Sequence, residues 1–81
     1  MTKTFKLGEW AIGGIIRVQK QKDVIEIQSL DWITKQPILE EKFHMEQSEY
    51  LNQIDNFLHE LTSHYYAEKV MGYIKNIVSK T

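Results

Sequence analysis

One short segment carries the residue types of a zinc-binding helix: His59-Glu60-Leu61-Thr62-Ser63-His64. A helical zinc motif of the form His-Glu-x-x-His places its histidines four residues apart, so that both imidazoles lie on one face of the helix. Here the spacing is five residues, and on a continuous helix the two side chains diverge by about 140°. We therefore predict no metal site. Both histidines are expected on the surface, where they cap helices or pair with Asp55 and Glu68.

Residue types for other catalytic chemistry are present without the required spacing. The chain contains no cysteine, and none of its serines has the glycine framing of a nucleophile elbow. Gly13-Gly14 lacks the flanking residues of a phosphate-binding loop. Four carboxylates could meet on a sheet face, but an acid–base pair needs a deep cleft that a chain of 81 residues rarely forms. We predict a non-catalytic protein without a cofactor.

Aromatic and basic residues are interleaved in the first half of the chain. Cations neutralise phosphates and rings stack on bases, and proteins that bind single strands without sequence preference use both together. Residues 1–36 hold six basic and four acidic side chains, whereas residues 37–81 hold four basic and seven acidic ones. The alternative is that both tryptophans belong to the core and the cations form an ordinary surface. The candidate nucleic-acid-binding residues are Lys6, Trp10, Arg17, Lys20, Lys22, Trp32 and Lys35.

The elements that position these residues follow from a change in hydrophobic period near residue 45. Before it, apolar residues alternate as in strands; after it, they recur as in amphipathic helices. We predict one α+β domain over residues 1–81. A small antiparallel sheet of three to four strands occupies residues 1–45, and one kinked or two consecutive amphipathic helices occupy residues 46–81. Residues 19–23 predict a polar turn, and Glu41, on the apolar side of the strand at 38–45, indicates an edge strand.

The second helical segment carries an unusually wide apolar face. Ser63 is a plausible N-cap for it. The face is wider than one small sheet needs to cover, and a small domain without disulfides gains stability from an oligomer interface. We therefore predict a homodimer or another partner contact through this helix. The candidate interface residues are Tyr66, Val70, Tyr73 and Ile77, with Ala67, Met71, Ile74 and Val78 beside them.

The composition also bears on the cellular environment. The first residues contain no apolar stretch typical of a signal peptide. No run approaches the roughly 18–20 apolar residues that a membrane span requires. The absence of cysteine is compatible with a reducing compartment. We expect a cytoplasmic protein that does not contact a membrane.

The first half of the chain resembles the PC4-like transcription-coactivator family of single-stranded DNA-binding proteins. Residues 5–10, Phe-Lys-Leu-Gly-Glu-Trp, and residues 15–18, Ile-Ile-Arg-Val, look like that family's opening strand, and residues 24–28 look like its second strand. The chain departs from the family at residues 40–44, where a Lys-Gly-Ile-like segment is missing, and in its longer helical tail. The resemblance implies a role in transcription regulation and a dimer whose sheets form a basic groove. The positions matching the family's binding strands are Lys6, Trp10, Arg17 and Lys20.

Two functions follow as hypotheses. The first is a dimeric, non-catalytic module that binds single-stranded nucleic acid on its sheet. The alternative is a protein–protein interaction module, such as a small inhibitor or regulatory adaptor of the kind found on phages and mobile elements. Residues 43–68 contain no Lys or Arg and would offer a basic partner an acidic helix, beside the aromatic side chains of Tyr65, Tyr66 and Tyr73.

Overall fold

The computed structural model describes residues 1–10 and 12–80, so the predicted single domain over residues 1–81 includes two positions outside the described residues. An antiparallel sheet of four strands is followed by two helices, which confirms the predicted α+β class. The elements are β1 (Thr2–Lys6), β2 (Ile15–Gln21), β3 (Val24–Leu30), β4 (Pro37–His44), α1 (Tyr50–Leu61) and α2 (His64–Ser79).

The four strands form a meander in which strand order repeats chain order. β1 and β4 are therefore the two edges, as predicted for the strand that contains Glu41. The turn predicted over residues 19–23 is shorter than expected, because β2 continues to Gln21 and the reversal falls at Lys22 and Asp23. Lys22 accommodates this tight reversal with a left-handed φ of 57°. The extra strand residues continue the antiparallel pairing with β3, with Gln19 opposite Glu26 and Gln21 opposite Val24.

The two faces of the sheet differ in what covers them. Ile16 and Val18 of β2 and Ile25 and Ile27 of β3 are fully buried beneath α1 and α2. Their neighbours in sequence point to the opposite side, which we call the helix-free face. Apolar side chains from the sheet and both helices form one core cluster, and burying each large one contributes about 1.5–3 kcal/mol. The helices are therefore held to the sheet mainly by hydrophobic packing.

The helical half consists of two helices rather than one kinked helix. α1 ends at Leu61, and Ser63 occupies the predicted N-cap position of α2 with an extended backbone, but its side chain makes no capping hydrogen bond. The break redirects the chain so that the rings of His59 and His64 meet, with 3.0 Å between His59 Nε2 and His64 Nδ1. The predicted divergence of these two side chains is therefore wrong, because it assumed a continuous helix.

The wide apolar face of α2 is covered within the chain. Val70 and Ile77 are buried in the core, and their assignment to a partner interface is therefore wrong. The face is wide because α2 packs against both the sheet and α1. Tyr73 is half-buried, with its ring centroid 5.5 Å from that of Phe5 in β1. Tyr66 is also half-buried and contacts neighbouring aromatic rings.

The loop between β1 and β2 is fixed to the end of α1. Gly13 has a φ of 82°, and its N–H donates to the buried Ser29 hydroxyl at 2.9 Å. A Cβ at Gly13 would collide with the carbonyl oxygen of Leu61. Leu7 N–H donates to the carbonyl of Gly14 at 2.7 Å, which closes the base of the loop. Glycine at position 13 thus permits a close approach between loop and helix.

Among the described residues, neither helix has the length and apolar character that crossing a bilayer requires.

Candidate nucleic-acid interface

The helix-free face carries charged side chains from all four strands. The strand register places Lys6 beside Ile15, Arg17 beside Gln28, and Lys42 opposite Glu26. Positive side chains lie along β1 and β2, whereas β3 and β4 contribute carboxylates as well as Lys42. The face is therefore more positive toward the β1 edge than toward the β4 edge, and a polyanion would be attracted to the β1 side.

A ladder of hydrogen bonds crosses the middle of this face. Arg17 Nε donates to Gln28 Oε1 at 2.8 Å, and a second guanidinium nitrogen donates to the same oxygen. Gln28 Nε2 in turn donates to a carboxylate oxygen of Glu40 at 2.9 Å. Gln28 is only 8% exposed, so its amide is held firmly between the two charged groups. The ladder fixes the Arg17 guanidinium against the sheet and separates it from Glu40 by one side chain.

A cleft of about 780 Å³ opens at the end of the face where β1 ends and β2 begins. Half-buried Trp32 and buried Ile15 give it apolar walls, and the chains of Lys6 and Lys35 line it as well. Glu9 contributes one carboxylate to the same cleft. An aromatic side chain in the same cleft as two lysines suits a flat ring that carries a nearby negative charge.

The loop between β3 and β4 presents Trp32 to this cleft. Asp31 Oδ1 accepts hydrogen bonds from the N–H groups of Ile33, at 2.8 Å, and Thr34, at 3.0 Å. These bonds stabilise the charged carboxylate and lower the pKa of Asp31. Lys35, with a left-handed φ of 65°, returns its N–H to the Asp31 carbonyl at 2.7 Å, and its ammonium donates to the carbonyl of Trp32. The loop is thus held by its own hydrogen bonds.

The seven predicted binding residues do not form one surface. Lys6, Trp32 and Lys35 share the cleft, and Arg17 lies on the same face of the sheet. Lys20 points to the helix side, because it pairs with Ile25, and its ammonium donates to the Lys22 carbonyl at 2.9 Å. The remaining two residues lie away from the cleft: Lys22 is at the opposite end of the sheet, and Trp10 is beside Tyr66.

Lys42 is a cation on this face that the sequence interpretation missed. It opposes Glu26 in the register of β3 and β4. The alternation of side chains along β4 could have predicted this position. Phe43 is buried among the core side chains, so its neighbour Lys42 must point away from them. Because Glu26 and Glu40 lie beside it on the same face, its charge is partly offset and it adds little to a positive surface.

Comparisons of the chain with protein-family models, with curated proteins and with solved structures find no match. The resemblance to PC4-like proteins therefore stays a prediction, and the function has to be argued from the geometry of the chain itself.

Proposed function

We propose that this protein binds single-stranded nucleic acid on the helix-free face of its sheet, with the cleft around Trp32 as the stacking site. The observation that carries the proposal is the position of half-buried Trp32 in an open cleft beside Lys6 and Lys35. Single strands expose both faces of their bases, whereas duplexes do not, so an aromatic cleft of this kind favours a single strand.

The proposed binding mode assigns a separate role to each group. One base stacks on the indole of Trp32, which is worth about 1–3 kcal/mol for such contacts. The ammonium groups of Lys6 and Lys35 and the guanidinium of Arg17 neutralise neighbouring phosphates. Arg17 is already oriented by Gln28, so less side-chain entropy is lost when it binds a phosphate. The groups on the β4 side contribute little, because carboxylates accompany Lys42 there.

This mode predicts a definite dependence on salt. Three cations that each displace a counterion from a single strand give a slope of about −2 in log affinity against log salt. Affinity therefore falls roughly 20-fold between 50 and 200 mM salt. Binding that does not weaken with salt would contradict the proposal.

Intrinsic fluorescence can test the stacking residue directly, since the chain holds two tryptophans. Trp10→Phe leaves Trp32 as the reporter, and Trp32→Phe leaves Trp10. A short oligo-dT strand should quench Trp10→Phe strongly and Trp32→Phe weakly. Lys6→Ala should weaken binding about tenfold, which corresponds to a loss of roughly 1.4 kcal/mol in binding free energy. Lys22→Ala, a loss of the same charge at the opposite end of the sheet, serves as the matched control and should bind like the wild type.

A second candidate function, protein recognition through the helical half, is favoured by one aromatic cluster. Trp10 and Tyr65 are 49% and 68% exposed, and both rings contact Tyr66, at centroid distances of 6.0 and 5.2 Å. Exposed aromatic side chains are typical of interface hot spots. A second copy of this chain is the partner proposed for the cluster. Sedimentation equilibrium should then show a dimer that Tyr65→Ser weakens, whereas a monomer at every concentration would contradict the dimer.

A further inference from the structure

The junction between α1 and α2 brings together three side chains that can ligate a metal ion. His59 lies in the last turn of α1, His64 begins α2, and Glu68 follows one turn later on the same side of that helix. One ligand atom from each of the three lies within 4.8 Å of the others. All three side chains are exposed, so an ion could reach them from solvent.

The ring of His59 is oriented as in a metal-ligating histidine. Its Nδ1 donates to the backbone carbonyl of Asp55 at 2.8 Å, and a carboxylate oxygen of the same residue lies 3.3 Å away. A donor bond from one ring nitrogen to a carbonyl or carboxylate fixes the tautomer and leaves the lone pair on the other nitrogen. That nitrogen, Nε2, faces His64 Nδ1 at 3.0 Å.

The spacing of the two imidazoles fits a tetrahedral ion. With metal–nitrogen bonds of about 2.0–2.1 Å, two ligand nitrogens of a tetrahedral site are about 3.3 Å apart. The observed 3.0 Å therefore requires an outward shift of a few tenths of an ångström by exposed rings. His64 must carry its proton on Nε2 when Nδ1 becomes the ligand, which is a change of tautomer rather than the loss of a proton.

We propose that His59, His64 and Glu68 form a binding site for a divalent transition-metal ion of the Zn²⁺ class. Two imidazoles and one carboxylate suit Zn²⁺ and its neighbours in the first transition row, whereas Mg²⁺ and Ca²⁺ prefer oxygen ligands alone. Water completes the coordination sphere. The ligands come from the end of α1 and the start of α2, so the bound ion cross-links the two helices across the break at Thr62 and Ser63.

Metal binding stabilises the folded protein by mass action, because the unfolded chain does not hold the three ligands together. Added Zn²⁺ should therefore raise the melting temperature, while Mg²⁺ at the same concentration should leave it unchanged. This effect is independent of nucleic acid and is measured without it.

Isothermal titration with Zn²⁺ should show one ion bound per chain, with at least a tenfold loss of affinity in His59→Ala and in His64→Ala. Co²⁺ bound at the same site should give visible absorption bands of tetrahedral intensity. Glu68→Gln should weaken binding to a smaller extent, because both imidazoles remain. His44→Ala is the matched control, since it removes an exposed histidine outside the cluster and should bind Zn²⁺ like the wild type.

Circular dichroism of the metal-free variants should match the wild type, because the substituted side chains are exposed. Two results would overturn the site. One is equal Zn²⁺ affinity in wild type, His59→Ala and His64→Ala. The other is a loss of affinity in His44→Ala as large as in those variants, since it would place the ion elsewhere.

Discussion

The contact between Gly13 and the end of α1 gives a sharp test of how the loop and the helix fit together. Gly13 combines a left-handed φ of 82° with a backbone carbonyl, that of Leu61, in the place a side chain would occupy. Gly72, in the middle of α2, is the matched control. Among the described residues, nothing beyond its own helix backbone and chain neighbours lies within 4 Å of a Cβ built there.

The two glycine-to-alanine substitutions should change the free energy of unfolding in opposite directions. At Gly13, the left-handed backbone costs an L-residue about 1–2 kcal/mol. Overpacking adds about 1–3 kcal/mol, because a backbone carbonyl cannot turn aside as a flexible side chain can. Gly13→Ala should therefore lower the free energy of unfolding by roughly 2–5 kcal/mol. Gly72→Ala should raise it by about 0.5–1 kcal/mol, since alanine restricts the unfolded chain and favours the helix.

Urea unfolding followed by circular dichroism measures both effects. A domain of this size has a total stability of roughly 4–12 kcal/mol, so the loss at Gly13 is a large fraction of it. In thermal melts, each kcal/mol corresponds to a shift of about 4–8 °C. If Gly13→Ala stays within about 0.5 kcal/mol of the wild type, the ordinary range for unconstrained surface positions, the close approach of loop and helix is refuted.

Three further predictions concern the core, the ladder and the loop that holds Trp32. Ile74→Ala should lose about 2–5 kcal/mol in urea unfolding, whereas Ile33→Ala, at a site 69% exposed, should change stability by less than about 0.5 kcal/mol. Gln28→Ala, which removes all three hydrogen bonds of the ladder, should cost about 1–2 kcal/mol in the same assay, against no measurable loss for exposed Gln53→Ala. The pKa of Asp31 is lower in the folded protein than in the unfolded chain. The charged carboxylate therefore stabilises the fold at pH values above its unfolded-state pKa, and this stabilisation is lost as the pH falls through its folded-state pKa. Asp31→Asn keeps the accepting oxygen, so its urea unfolding midpoint should fall less steeply with decreasing pH than that of the wild type. An equal decrease in both proteins would contradict this.

The fold class could be predicted because burial repeats with the period of each element. Ile25 and Ile27 alternate with polar neighbours, and Ile54, Leu58 and Leu61 recur at helical spacing, so the buried side of each element is visible in the sequence. The turn at residues 19–23 was placed too broadly for a related reason. Gln19 and Gln21 lie on the helix-free face of β2, where polar residues are solvated and resemble those of a turn.

The candidate site was only partly predictable, because it depends on how the elements meet. The pleat of β2 separates Arg17 from Lys20, although both are basic and near in sequence. Likewise, the apolar residues of α2 do not indicate that the sheet and α1 both cover them, and the sequence therefore predicts a partner contact at Val70. The approach of His59 to His64 depends on the direction that the chain takes after Leu61, and no local pattern sets that direction.

The order of the strands has a consequence for how the chain folds as it is made. Every strand pairs with the next one in sequence, and such hairpins form within about 1–10 μs. The helices that cover the apolar side of the sheet come last. At roughly 5–20 residues per second, synthesis of the helical half takes about 2–7 s, during which a completed sheet has no cover. During this interval the apolar side of the sheet is exposed and open to aggregation, a hazard that the equilibrium stability of the folded domain does not describe.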